Sequence, residues 1–283
     1  MRFAAAPPIS RTMTARRLLV SVVIGASVFG AGGVLADDPL HGAETPAPPE
    51  PLYRRFKASI GFHYSSGDYG SSDTTEIFYV PLVLTAEVSR FTLQATIPYL
   101  RVEGPSQAIV EGPEGPIAGN GDGLGDVLAR ASYLLPRKHE WPVWVPFVDL
   151  VGLVKFPTAS RGDGLGTGEF DLGLDAELTW VAGRLTPFAA VGYRFLGDPP
   201  GFDLHDVFAA SAGAMVRIID TLGAGVLLDY REASSSSTGE RLEIVPFASW
   251  KLLGHWSADP YVSAGLAKGS PDAGVGVQFG CAW

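Results

Sequence analysis

Phe170, Leu172, Leu174, Ala176, Leu178 and Trp180 occupy every second position of one short stretch, with Asp171, Gly173, Asp175, Glu177 and Thr179 between them. An extended chain points alternate side chains to opposite faces, so this order makes one unbroken apolar face and one face carrying three carboxylates. A helix would instead bring Asp171, Leu174, Asp175 and Leu178 together. The stretch is a strand. Its apolar face needs covering by a second protein layer or by lipid, and the rest of the chain decides which.

The same alternation recurs from Tyr53 to the C-terminus. In the first segment Phe56, Ala58, Ile60, Phe62 and Tyr64 alternate with Arg55, Lys57, Ser59, Gly61 and His63; in the last, Ala273, Val275, Val277, Phe279, Cys281 and Trp283 alternate with Gly274, Gly276, Gln278 and Gly280. Counting through the chain gives twelve such segments, with the fifth over Val143–Phe156 and the eighth near His205–Ile218. The connections alternate in length. Tight returns fall at Val88–Arg90, Pro136–Trp141, Val181–Leu185, Asp220–Thr221 and Leu253–Trp256, and polar loops, the longest Glu103–Gly123, lie between the other pairs.

No segment between the strands supplies a second layer, and no stretch after residue 36 is apolar enough for a spanning helix. Strands of about ten residues match a tilted crossing of the hydrocarbon core. In lipid every backbone group must be paired within the protein, so such strands have to close on themselves. An even strand count with short turns at one end and long loops at the other is the pattern of outer-membrane barrels. The predicted fold is therefore all-β, a transmembrane antiparallel up-and-down β-barrel of about 12 strands over residues 53–283, with short periplasmic turns and longer extracellular loops. Composition fits: 35 glycines, 46% hydrophobic residues and only 18% charged ones suit a protein whose outside is oil. Tyr64, Tyr99, Tyr133, Trp180, Tyr193, Tyr230 and Trp250 fall near strand ends on the apolar face, where amphipathic rings meet lipid headgroups.

The two ends carry their own signals. Arg2, Arg11, Arg16 and Arg17 precede the uncharged run Leu18–Ala36, which reads as an export signal over residues 1–36 cleaved before Asp37. A retained membrane anchor is the rival, weakened by Gly25, Gly30, Gly32 and Gly33. Residues 37–52, with five prolines and few large apolar side chains, read as a flexible periplasmic tail. At the other end Trp283, with Phe279, Val277 and Val275 on one face, resembles the C-terminal signal recognised by the barrel assembly machinery.

The inward face carries Arg55, Lys57, His63, Glu87, Asp126, Arg130, Asp149, Lys155, Asp171, Asp175, Glu177, Arg194, Asp229, Arg231, Arg241, Glu243 and Lys251. Such groups either brace the barrel as ion-pair ladders or line a narrow polar passage. If the lumen follows the net charge, which moves from −9 to −13 on loss of the four leader arginines, a channel would weakly prefer cations. A negative chain also excludes nucleic acid as partner. GDGLG occurs at Gly121–Gly125 and again at Gly162–Gly166, where glycine suits entry into a strand; without a following helix it binds no phosphate. His63 beside Ser65 and Ser66, and His205 between Asp203 and Asp206, form a weak hydrolase alternative. The lone Cys281 excludes a disulfide framework and a multi-cysteine metal site, and no cofactor or metal is expected.

Gly123-Leu124-Gly125-Asp126 followed by Val127–Leu135 resembles the GLGD strand motif of the outer-membrane proteins of the MetA-pathway of phenol degradation family. The segment Pro81–Val102, ending Ile97-Pro98-Tyr99, is similar to the region preceding that motif. The resemblance implies a monomeric, non-enzymatic channel for small, often aromatic or hydrophobic, solutes, and marks Asp126 as a motif position. A non-conducting structural or surface-binding barrel is the alternative.

Overall fold

The computed structural model describes residues 54–283 apart from 71–72, 105–108, 113–114, 119, 139–140, 143 and 201–202. The predicted export signal and proline-rich tail lie outside the described residues. Among the described residues there are fifteen strands: β1 (Arg54–Gly67), β2 (Thr75–Val88), β3 (Phe91–Glu103), β4 (Ile109–Gly112), β5 (Gly115–Ala118), β6 (Gly121–Leu124), β7 (Val127–Leu134), β8 (Phe147–Phe156), β9 (Asp171–Thr179), β10 (Leu185–Phe195), β11 (Val207–Ile219), β12 (Leu222–Arg231), β13 (Arg241–Lys251), β14 (Trp256–Gly265) and β15 (Ala273–Ala282). Twelve of them form the wall. Each pairs antiparallel with its neighbours in the order β1, β2, β3, β7 and then β8 to β15, and β15 returns to β1. The closing seam runs from Lys57↔Ala282 to Ser66↔Ala273, and Phe56 and Trp283 exchange two backbone hydrogen bonds of 3.0 and 2.9 Å beyond it.

None of the described residues covers the outer face. Leu172 and Leu174 are 53% and 62% exposed, and Phe56, Ile60, Phe62, Leu82, Leu84, Leu93 and Val275 are exposed like them. Such a belt, too large to leave in water, is the surface of a membrane-spanning barrel. The alternation explains it strand by strand: on β9 the inward Asp171, Glu177 and Thr179 are buried while the outward Leu172 and Leu174 are bare.

Three departures from the simple pattern shape the two ends of the barrel. First, Glu103–Gly123 is not only loop. It holds the hairpin β4–β5 and also β6, which pairs with the outer end of β3 from Tyr99↔Leu124 to Val102↔Gly121. Second, β6 and β7 are one interrupted strand. The β3 register steps by one position between Thr96↔Leu128 and Tyr99↔Leu124, leaving Gly125-Asp126 as a bulge. Pro98 faces the bulge and donates no hydrogen bond, while its carbonyl accepts one from Gly125 N (2.9 Å); a Cβ on Gly125 would sit 2.9 Å from Pro98 Cγ. Third, the turn placed at Pro136–Trp141 is a longer segment, 135–146, and the fifth wall strand starts at Phe147 rather than Val143. Pro142 and Pro146 withhold donors from a ladder, and the segment turns instead through Trp141 N→Lys138 O (3.2 Å) and Val145 N→Pro142 O (3.0 Å).

Candidate functional site

The interior of the barrel is the face on which the strands place their chemistry. Every charged residue expected to point inward lies on the inward parity of its strand, Asp126 in the bulge at the mouth. With Arg217 and Asp259 added, that face holds, among the described residues, nine basic residues (Arg55, Lys57, Arg130, Lys155, Arg194, Arg217, Arg231, Arg241, Lys251) and nine acidic ones (Glu87, Asp126, Asp149, Asp171, Asp175, Glu177, Asp229, Glu243, Asp259). The interior is thus balanced, and the chain's excess of negative charge lies elsewhere.

The charges form local networks. Lys155 Nζ lies 2.5 Å from Asp171 Oδ2 and 3.6 Å from Asp126 Oδ2, and donates to Thr167 Oγ1 at 3.2 Å. Arg194 reaches Asp175 through two contacts, 2.5 and 3.1 Å. It can lie flat because its neighbours are glycines: a Cβ on Gly173 would sit 2.9 Å from Arg194 Cδ, and one on Gly192 would be 3.0 Å from Arg194 Nη1. On β12 and β13, Asp229 stands opposite Glu243 and Arg231 opposite Arg241, so like charges face each other across the strands. Each is offset by the opposite charge along its own strand; Arg241 Nε donates to Glu243 Oε1. At the short-turn end Lys57 is surrounded by Asp259, Arg55 and Glu87, with Arg55 and Glu87 paired in register.

Arg130 bridges two carboxylates. It is paired with Glu177 and acts on Asp149, and Asp149 and Glu177 stand opposite each other on β8 and β9. Replacing Arg130 with Ala leaves these two buried carboxylates facing one another, whereas replacing Glu177 with Ala leaves Arg130 with Asp149. Breaking a buried pair by removing one partner costs about 3–5 kcal/mol. Arg130→Ala should therefore lower the unfolding midpoint of the refolded barrel, read as the band shift of unheated samples, well below that of Glu177→Ala. Equal midpoints would remove Arg130 from this role.

Two apolar clusters also face inward, and alternation alone hides them. Phe188, Met215, Leu227 and Val245 are buried on β10 to β13, with Val181, Phe247 and Tyr261 packed against them. Glycines make the space: a Cβ on Gly213 would sit 2.5 Å from the Phe188 ring, and one on Gly225 the same distance from Phe247. The sequence signal is this pairing of an inward glycine with an inward aromatic on the next strand, Phe188↔Gly213 and Gly225↔Phe247.

The second cluster packs at the mouth. Ile77, Tyr79, Leu100 and Val102 on β2 and β3 pack with Tyr69, Ala159 and Leu165, which come from loops. Tyr79 is fully buried, so the loop 157–170 folds inward over it. Tyr69 turns its ring in from a left-handed φ of 49°, a costly backbone for a residue with a side chain; burial pushes its phenol well above its ordinary value, and it shares a 2.8 Å hydrogen bond with Ser65 Oγ. Asp126 holds the loop. Its Oδ1 accepts from Ala159 N at 2.9 Å, while Thr158 Oγ1 donates to Gly125 O and accepts from Val127 N. The two GDGLG copies meet there: a Cβ on Gly121 would sit 3.1 Å from Asp163 O, and one on Gly123 the same distance from Leu165 Cδ1. Their glycines serve mutual close approach as well as turning.

Of the histidines, His63 is buried inside the wall, its Nδ1 3.1 Å from Tyr261 OH and its ring stacked on that residue. His205 is exposed on the outer loop before β11. Among the described residues nothing pairs the two as a nucleophile's base and its orienting partner, and no group of three His, Cys, Asp or Glu side chains is arranged to hold a metal ion.

No family model matches the chain, and no curated protein matches it. Among solved structures it is similar to the COG4313 outer membrane channel from Pseudomonas putida F1, with a TM-score of 0.62 and 14% identity over 85% of this chain and 100% of that one. More distant are the NanC porin (TM-score 0.49, 10% identity, 79% and 97% covered) and the KdgM porin in complex with disordered oligogalacturonate (0.47, 12%, 78% and 97%). At such identities the likeness is one of fold, and the chain is a closed antiparallel β-barrel of the outer-membrane type.

Proposed function

We propose that this barrel is a bacterial outer-membrane channel for passive passage of small organic solutes, inserted as a monomer by the barrel assembly machinery through the strand ending at Trp283. The observation that carries the reading is the mixed inner wall. Around the buried cluster of β10–β13 the partly exposed Phe247 and Tyr261 share the inner wall with charge-balanced polar networks, which suits molecules with an aromatic or aliphatic body and a few polar groups. The likeness of Gly123–Asp126 to the motif of the MetA-pathway family points the same way. We assign pore-lining roles to Arg55, Lys57, Glu87, Asp126, Arg130, Asp149, Lys155, Asp171, Asp175, Glu177, Arg194, Asp229 and Arg231, and no catalysis to any of them.

Nine acids against nine bases on the inward face replace the cation preference drawn from the net charge with an expectation of little charge selectivity. In planar bilayers the refolded protein should give small discrete steps with a reversal potential near zero in a salt gradient. A strong shift toward either ion would overturn the balanced lumen. A specific observation favours a second reading, a non-conducting structural barrel: Ile77 and Tyr79 are wholly buried beneath the infolded loop. Absence of steps from both the wild type and a variant with that loop released would establish this second reading.

A further inference from the structure

All six tryptophans of the chain lie at the short-turn end: Trp141 and Trp144 in the 135–146 segment, Trp180 just after β9, Trp250 near the end of β13, Trp256 at the start of β14 and Trp283 after β15. The opposite rim is built from Tyr and Phe, among them Tyr64, Tyr99, Phe156, Phe170 and Phe195. Indole prefers the headgroup layer, where its ring is half in oil and its N–H is wet. The two rims are therefore chemically different, and the tryptophan rim has one elaborated part.

That part is the segment 135–146. Its described residues are tied to the wall: Trp180 Nε1 donates to Trp144 O at 2.9 Å, and Leu135 N to Val148 O at 2.9 Å. Arg137 Nη2 donates to Trp141 O (3.2 Å) and Pro142 O (2.8 Å), with its guanidinium 4.8 Å from the Phe147 ring centroid. Its Nε has no acceptor among the described residues. Trp144 is 73% exposed, and Trp141, Lys138 and, on the turn between β9 and β10, Arg184 are exposed as well. Trp180 lies on the lipid-facing parity of β9, so the hydrogen bond to Trp144 ties the segment to the edge of the hydrocarbon belt. Surface that continues the lipid belt, bears indoles and collects positive charge fits one partner, the anionic headgroups of the inner leaflet.

We propose that Trp141, Trp144, Arg137, Lys138 and Arg184 form a docking site for an anionic phospholipid of the periplasmic leaflet. The indoles sit among the acyl esters and the exposed cations Lys138 and Arg184 meet the phosphate, while Arg137, bonded to Trp141 O and Pro142 O, holds the segment in shape. This does not depend on whether the barrel conducts.

The test uses the full-length barrel refolded into phosphatidylethanolamine vesicles containing equal mole fractions of either brominated phosphatidylglycerol or brominated phosphatidylethanolamine, with tryptophan fluorescence as readout. The brominated anionic lipid should quench more strongly. Trp144→Phe should remove much of that difference, and Lys138→Gln with Arg184→Gln, both exposed, should abolish it without altering folding. Each surface cation changes headgroup affinity about fivefold, so the double variant should bind the anionic lipid roughly twenty-five-fold more weakly. Equal quenching by the two lipids in the wild type overturns the proposal. So does a Trp144 that neither lipid quenches, which would assign the segment to a periplasmic protein instead.

Discussion

Removing Phe279–Trp283 should abolish the barrel. These residues supply the partners of Lys57, Ala58, Ser59 and Ile60 on β1 and of Trp256, Ser257 and Ala258 on β14, and the paired hydrogen bonds between Phe56 and Trp283. Without them two strand ends carry unpaired amides and carbonyls at the membrane, each costing on the order of several kcal/mol. The truncated protein should show no compact band in unheated gels and no recovery in the outer-membrane fraction. Trp283→Ala separates closure from recognition, since it keeps the backbone bonds and loses only the side chain stacked against Phe56 at 6.5 Å. If the terminal aromatic is an assembly signal, that variant should refold normally in lipid in vitro yet accumulate unassembled in cells. A truncated chain that still folds into membranes would refute the seam itself.

This seam was legible in the sequence because lipid imposes a simple rule at every position. On β1, Phe56, Ile60 and Phe62 face oil and Lys57, Ser59 and His63 face inward, and a one-residue slip would reverse all of them. The wall and the identity of the inward charges follow from that rule. What the rule does not reach is contact between residues far apart in sequence. The two GDGLG copies show why: Gly121–Leu124 is strand β6, paired with β3, while Gly162–Gly166 lies in a turn folded into the mouth. Identical residues take different structures because the first precedes Asp126 and the strand β7, and the second precedes Thr167-Gly168, where Gly168 has a φ of 79°. The inward aromatics escaped for a related reason. Phe188 looks like an ordinary strand residue until its slot, an inward glycine on the neighbouring strand, is paired with it.

Asp126→Ala should open the mouth. The carboxylate is the fastening of the loop 157–170: it holds Ala159 N at 2.9 Å and shares Lys155 with Asp171, whose Oδ1 accepts from Gly197 N at 2.9 Å. A hydrogen bond to a charged group contributes about 1.5–3 kcal/mol, so its loss shifts the balance between infolded and released loop by about ten- to a hundredfold. Leu165 resists release, since burying a leucine stabilises the infolded state by a comparable amount, about 1.5–3 kcal/mol. Asp126→Ala alone should therefore raise the open probability or step size severalfold in bilayer recordings, and Asp126→Ala with Leu165→Ala further still. Asp126→Asn, which retains an acceptor for Ala159 N but not the charge toward Lys155, should fall between wild type and Asp126→Ala. Gly166→Val reaches the same place by another route, because its Cβ would lie 2.7 Å from Asp126 Oδ2 and 2.8 Å from Ala159 Cβ. Neither atom can yield without loosening the fastening, so the two single variants should share one phenotype. If both fold to compact barrels and their traces match the wild type, the loop does not govern passage, and the cluster around Tyr79 only braces that side of the barrel.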